Sequence, residues 1–188
     1  MADIRVHVFH TGKVCVAPAL PFGGAHCSTL KASGVFAKRS ERIWLPVSAY
    51  LITCPHWKIL FDCGWHRDMS PDGSPDRRAQ IRSLGSLPLY ITNQGRLEKG
   101  AAIDEQLAAL GIKPSELDMV LLSHLDCDHA NGLKLVSDAK QILVSGIADD
   151  KAAQLRSLEW IRAQSMDANC IESIANHDPD VKPHTIEL

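Results

Sequence analysis

The chain has 188 residues, a formal net charge of −2 and an apolar fraction of 45%, which suits one domain with a sizeable core. That charge argues against a nucleic-acid binder and a polybasic membrane surface. No apolar run approaches the ~20 residues of a membrane span, and the start, Met1-Ala2-Asp3-Ile4-Arg5, lacks the apolar core of a signal peptide.

Residues 4–9 alternate apolar and polar side chains and predict a first strand. Residues 11–16 continue as a turn and further strand. Residues 18–34, rich in Pro, Gly and small side chains, predict a long loop. Residues 67–86 are polar, with Asp72-Gly73 and Ser74-Pro75 as turn signals. Ile103, Leu107 and Leu110 then share one face of an amphipathic helix, which Gly111 stops. Residues 113–117 lead into the short apolar run Met119-Val120-Leu121-Leu122, read as a buried strand. A further strand is expected over residues 138–145. Leu155, Leu158 and Ile161, beside Trp160, predict a helix with one buried face over residues 151–166. Residues 170–174 predict a short strand leading to His177. This alternation of strands and helices predicts an α/β sandwich. Repeats, low-complexity tracts and linkers are not evident.

The chemistry concentrates where the buried run opens into Ser123-His124-Leu125-Asp126-Cys127-Asp128-His129-Ala130-Asn131-Gly132. Imidazole and carboxylate groups are the usual ligands of zinc, manganese or iron in hydrolytic sites. A metal there would make bound water a nucleophile at neutral pH. In an extended segment His124, Asp126 and Asp128 would face one side and His129 the other. A bend at Ala130-Asn131-Gly132 would let Asp128 and His129 swing towards a second centre. Cys127 points away from His124 and Asp126 by the same alternation, so packing is its expected role. Cys15, Cys27, Cys54, Cys63, Cys127 and Cys170 are scattered without a Cys-x-x-Cys pair, which predicts reduced thiols and a cytoplasmic location.

This segment resembles the His-x-His-x-Asp-His signature of the metallo-β-lactamase superfamily, and in particular the acyl-homoserine-lactone lactonase-like hydrolases. Asp126 stands where the signature has its second histidine. Lys58-Ile59-Leu60-Phe61-Asp62-Cys63-Gly64 looks like the family's early strand ending in Asp-x-Gly. Residues 45–52 look like the strand before it. Ala175-Asn176-His177-Asp178 looks like the last metal ligand. The resemblance runs along nearly the whole chain and implies the superfamily's four-layer αββα sandwich. It also implies a loop near the substrate entrance at Leu20-Pro21-Phe22, for which a covering role by packing alone is the alternative.

Two of the family's parts have no counterpart here: a Gly-His-[ST]-x-Gly loop that supplies a histidine ligand, and a strand ending in the aspartate that bridges both metals. The junction near Ser145 and Gly146 resembles an internal deletion, so residues 1–188 are expected to form a single domain incomplete in its second half. One sheet should then be thin, with an unpaired edge, which predicts a homodimer or poor solubility.

The resemblance implies these roles. His124 and Asp126 would be ligands of a first metal. Asp128, His129 and His177 would be ligands of a second, and Asp128 would also accept a proton in turnover. Asp62 would accept a hydrogen bond from a ligand histidine. The resemblance implies a divalent metal, zinc first, with two in the family; the carboxylate of Asp126 makes the site harder, so manganese or iron gains ground over zinc. Without the bridging carboxylate, the expected site holds one metal or is loosely loaded. The implied function is opening of a lactone or related ester, a small-molecule substrate, by metal-activated water. A non-catalytic remnant and an iron-dependent oxidoreductase of the same superfamily are the alternatives. No Gly-x-Ser-x-Gly elbow supports a serine mechanism.

Overall fold

The computed structural model describes residues 3–22, 28, 34, 36–144, 151–168, 170–172, 174 and 176–188, with the backbone alone at 21, 151–155, 157 and 158. The junction near Ser145 and Gly146 lies outside the described residues. Among the described residues, seven strands form one mixed sheet: β1 (Arg5–Val16), β2 (Ile43–Thr53), β3 (Lys58–Phe61), β4 (Gln94–Arg96), β5 (Met119–Leu122), β6 (Ile142–Val144) and β7 (His184–Glu187). The order is β4-β1-β2-β3-β5-β6, with β7 also paired to β1. The helices are α1 (Ala19–Phe22), α2 (Arg77–Leu84), α3 (Leu87–Thr92), α4 (Ile103–Ala109), α5 (Cys127–Ala130) and α6 (Lys151–Ser165). The α/β class expected from the sequence is what the chain adopts.

β1 does not turn at Thr11-Gly12 as the local residues predict. It stays paired with β2 throughout, and its register shifts by one residue between His10 and Lys13. The extra residue changes which parity faces the core. Phe9 before the shift and Val14 and Val16 after it therefore lie on the same side as Leu45, Val47, Ala49 and Leu51 of β2. Gly12 makes the bulge: its φ is +106°, and a Cβ there would sit 2.3 Å from the Arg96 carbonyl oxygen.

That face carries two buried clusters. In the first, Ala49, Leu51, Leu60 and Val120 meet Ile103 and Leu107 of α4. In the second, Val47 and Val14 meet Trp65, Met69 and Leu97. Each fully buried side chain of this kind contributes about 1.5–3 kcal/mol. The amphipathic helix is α4 as expected, and Gly111 follows it at φ +73°. Leu110 is exposed rather than buried.

The polar stretch 67–86 hides α2. Asp76 caps it by accepting from the backbone N–H groups of Arg78 and Ala79, and Gly85 ends it in the left-handed conformation. Its arginines mask the buried Ala79 and Leu84 in a sequence reading.

Two expectations near the C-terminal end fail. Helix α6 forms, but its described side chains, Trp160 and Ile161 among them, are exposed rather than buried on one face. Leu155 and Leu158 lie outside the described side chains. Residues 170–172 and 174 are not strand; the strand is β7, ten residues later, paired antiparallel with β1 from Arg5↔Glu187 to Val8↔His184. Pairing to a distant strand leaves no local signature, so its four residues were not legible.

β3 and β5 lie side by side and parallel, with Phe61 opposite Leu121. Their carboxyl ends therefore open at the same place, where open α/β sheets gather function. β2 runs antiparallel to β3 and extends past its end, so Pro46 and Ser48 border that same opening.

Candidate metal centre

Asp62 follows β3, and Ser123 and His124 follow β5. The chain then turns into α5, a single helical turn that carries Asp128 and His129. That turn replaces the extended segment considered from the sequence, so Asp128 and His129 reach one centre instead of opposite faces. Gly132 does not supply a bend. It lies in a 3-10 helix over Asn131–Val136, and its backbone N–H donates to the Gly64 carbonyl at 2.7 Å.

Among the described residues, Asp128, His129 and His177 form a group whose ligand atoms lie within 4.8 Å of one another. His129 Nε2 is 3.2 Å from His177 Nε2. Asp128 Oδ2 is 3.4 Å from His177 Nε2 and 3.6 Å from His129 Nε2. His124 and Asp126 stand alongside rather than inside this group. Their Nε2 and Oδ2 atoms are 3.3 Å apart, and the Asp126 side chain is 75% exposed. The His124 and His129 rings are in contact, with centroids 4.0 Å apart.

The outer nitrogens of the ligand candidates are already committed. His129 Nδ1 is 2.8 Å from Asp62 Oδ2, within a pair whose side chains are 4% and 2% exposed. A carboxylate only accepts, so the proton sits on Nδ1 and Nε2 is left bare. His177 Nδ1 donates to the Pro46 carbonyl oxygen at 2.7 Å, which bares its Nε2 as well. Two imidazole lone pairs and a carboxylate thus face one another across a few ångströms. That donor set fits a divalent cation, with second nitrogens oriented as ligand histidines usually are.

Burial opposes charge on Asp62, but its hydrogen bonds from His129 and from the backbone and hydroxyl of Ser123 win, and its carboxyl is held below the usual range. Burial likewise opposes a proton on His129, but Asp62 and Asp128 push its basicity up. Cys63, between these elements, is buried and its thiol is pushed up to about 12. Cys127 packs at the edge of the second cluster.

The described non-glycine residues with positive φ are Asp62 at +62° and His177 at +65°. Such backbone costs about 1–3 kcal/mol per residue and persists where the surroundings impose it. At His177 the constraint is visible. Asn176 Oδ1 accepts from the backbone N–H of Ser48 at 3.0 Å and of His177 at 2.8 Å. Ala175, beside it in the sequence motif, lies outside the described residues.

The centre opens into a cavity of about 210 Å³. His124, Asp126, Asp128, His129 and His177 line one part of it; Val14, Val16, Leu20 and Leu45 form an apolar wall, and Asn93 joins them. Leu20 thus lines the cavity, Pro21 lies outside the described side chains, and Phe22 is 72% exposed. Sequence reasoning missed Ser123, Asn93 and Asn176. Ser123 and Asn176 each directly precede a ligand candidate, a signal that was available; Asn93 has none.

A family model described as the metallo-beta-lactamase superfamily matches residues 42–186. The chain is 34% identical over 104 residues to proteins named N-acyl homoserine lactonase AiiB from Agrobacterium fabrum and from Rhizobium rhizogenes. The matched stretch is 55% of this chain and spans about a third (34%) of the length of each lactonase. Among solved structures, a B. thuringiensis AiiA mutant with N-decanoyl-L-homoserine at its active site matches with a TM-score of 0.52 at 17% identity, over 74% of this chain and 48% of that one. An N-acyl homoserine lactone hydrolase with N-hexanoyl-L-homoserine at its catalytic metal center matches with the same values.

Proposed function

The chain belongs to the metallo-beta-lactamase superfamily, and from that premise we propose that it is a metal-dependent hydrolase acting on a lactone or related ester. The observation that carries this reading is the convergence of Asp128, His129 and His177, with both imidazole Nδ1 atoms engaged elsewhere, by Asp62 and Pro46, and both Nε2 atoms turned to the shared centre. Two histidines, one carboxylate and an open position make a catalytic zinc set. Zinc is the first choice, and Asp126 beside the group favours manganese or iron as the alternatives. A bound divalent ion would supply Lewis acidity and a water of lowered pKa. Asp128, buried and lining the cavity, would accept the proton released in turnover. Val14, Val16, Leu20 and Leu45 would hold an apolar part of the substrate and exclude water. Asp62 would keep His129 oriented.

His124 and Asp126 would be ligands of a weaker, first metal position. The family's bridging aspartate has no counterpart in this chain, so one tightly held ion per chain is the expectation. Residues 1–188 are read as one domain that lacks a second-half segment near 145–146; the chain's cover of only about half of the matched structures supports this. A second reading, an iron-dependent oxidoreductase, is favoured by the same two-histidine, one-carboxylate set, which also suits ferrous iron. The described cysteines are free thiols, in keeping with a cytoplasmic location.

Elemental analysis of the purified chain, followed by a lactone-opening assay with an N-acyl homoserine lactone, tests the main reading. About one zinc per chain and chelator-sensitive ring opening support it. Iron with electron-acceptor-dependent turnover supports the second reading. A chain that binds no metal and opens no lactone is a remnant, and both readings fall.

A homodimer is part of the same proposal. Among the described residues β6 is an edge strand, with Ile142, Leu143 and Val144 39%, 49% and 47% exposed, and a second copy would cover it. Light scattering should give a dimer mass at high concentration; a clean monomer there removes this part.

A further inference from the structure

Ser123 lies between Asp62 and two of the ligand candidates on its own loop, His124 and His129. Its Oγ lies 2.8 Å from Asp62 Oδ2 and 3.0 Å from Oδ1. The same oxygen lies 2.8 Å from His124 Nδ1 and 3.4 Å from His129 Nδ1. Its backbone N–H donates to Asp62 Oδ1 at 2.8 Å. A serine hydroxyl has one proton and a carboxylate accepts only. Were that proton aimed at His124, the hydroxyl would present bare lone pairs to a carboxylate only 1% exposed, which is unfavourable in a low-dielectric interior. The hydroxyl therefore donates to Asp62, and its oxygen accepts from His124 Nδ1–H.

We propose that Ser123 is a positioning residue that relays Asp62 to His124: the buried relay keeps the proton on Nδ1, against the exposed Asp126 carboxylate 3.3 Å from Nε2, which alone would draw it there. Asp62 thereby orients two histidines at once: His129 directly, and His124 through one hydroxyl. His177 is independent of this relay because it is held by Pro46. The consequence for metal rests on the metal-centre reading above. Ser123 governs the weaker position of His124 and Asp126, while Asp128, His129 and His177 stay intact.

The test compares Ser123→Ala and Ser123→Thr with the parent, using the full chain. Long-range proton–nitrogen spectra of the imidazoles, on chelator-treated protein, report the tautomers without any metal. In Ser123→Ala the His124 signals should shift towards the Nε2–H tautomer that Asp126 favours, while His129 and His177 keep theirs; Ser123→Thr should restore the parent pattern. Zinc titration against a competing chelator should show the weaker site loosened about 10–100-fold in Ser123→Ala, with the tighter site unchanged. An unaltered His124 tautomer in folded Ser123→Ala overturns the proposal, as does equal loosening of both sites. A parent chain that binds no zinc but shows the tautomer pattern would remove the metal reading and leave the relay standing.

Discussion

His129→Ala is expected to abolish tight binding of a divalent metal and, under the proposed function, lactone opening. The substitution removes one of three ligand candidates and also releases Asp62, whose side chain is 2% exposed. Loss of an outer partner alone costs about 10–100-fold in metal affinity, and loss of a ligand should cost more. Stability should fall too. Asp62 keeps its hydrogen bonds from Ser123 but loses its buried imidazole partner, and leaving a buried charge short of a partner costs about 3 kcal/mol. Elemental analysis and thermal unfolding of the metal-free forms separate the two effects. A variant that retains the parent's metal content would exclude His129 as a ligand.

Gly132→Ala is expected to be comparably harmful although its side chain would touch no ligand. A Cβ at this position would lie 2.3 Å from the Cys63 carbonyl oxygen and 3.1 Å from that of Gly64. Both atoms are backbone and cannot rotate away. The segment after β3 carries Asp62 and the segment after β5 carries His129, and they are stitched together here, with Cys63 N–H donating to the His129 carbonyl at 2.9 Å. Pushing them apart stretches the 2.8 Å contact between Asp62 and His129. Overpacking of this kind costs about 1–3 kcal/mol, which lowers Tm by about 2–12 °C in a chain of this size. Metal affinity should drop about tenfold or more through the displaced Asp62. Calorimetry and zinc titration check both; an unchanged Tm would mean that the contact yields easily.

Much of the architecture was legible because its signals are local. The apolar runs of β3 and β5, the heptad-like spacing of Ile103 and Leu107, and the glycine after α4 each act within a few residues. The His/Asp cluster after β5 was likewise visible as residue types whose chemistry needs one another. The helix α2 was obscured because its exposed arginines dominate the pattern, and its caps, Asp76 and Gly85, were the only local trace.

By itself, the sequence singled out the candidate metal ligands, His124, Asp126, Asp128, His129 and His177, and Asp62 as a hydrogen-bond partner for one of the histidines. Only the tertiary structure decided how they divide. His177 joins His129 because Pro46 and Ser48, 131 and 128 positions away from their partners in sequence, hold His177 and Asn176 against β2. The local helical turn of α5 brings Asp128 and His129 to one centre, and the parallel pairing of β3 with β5 brings Asp62 beneath them. Contacts between residues so far apart depend on the closure of the whole sheet, and no short window of sequence carries that information.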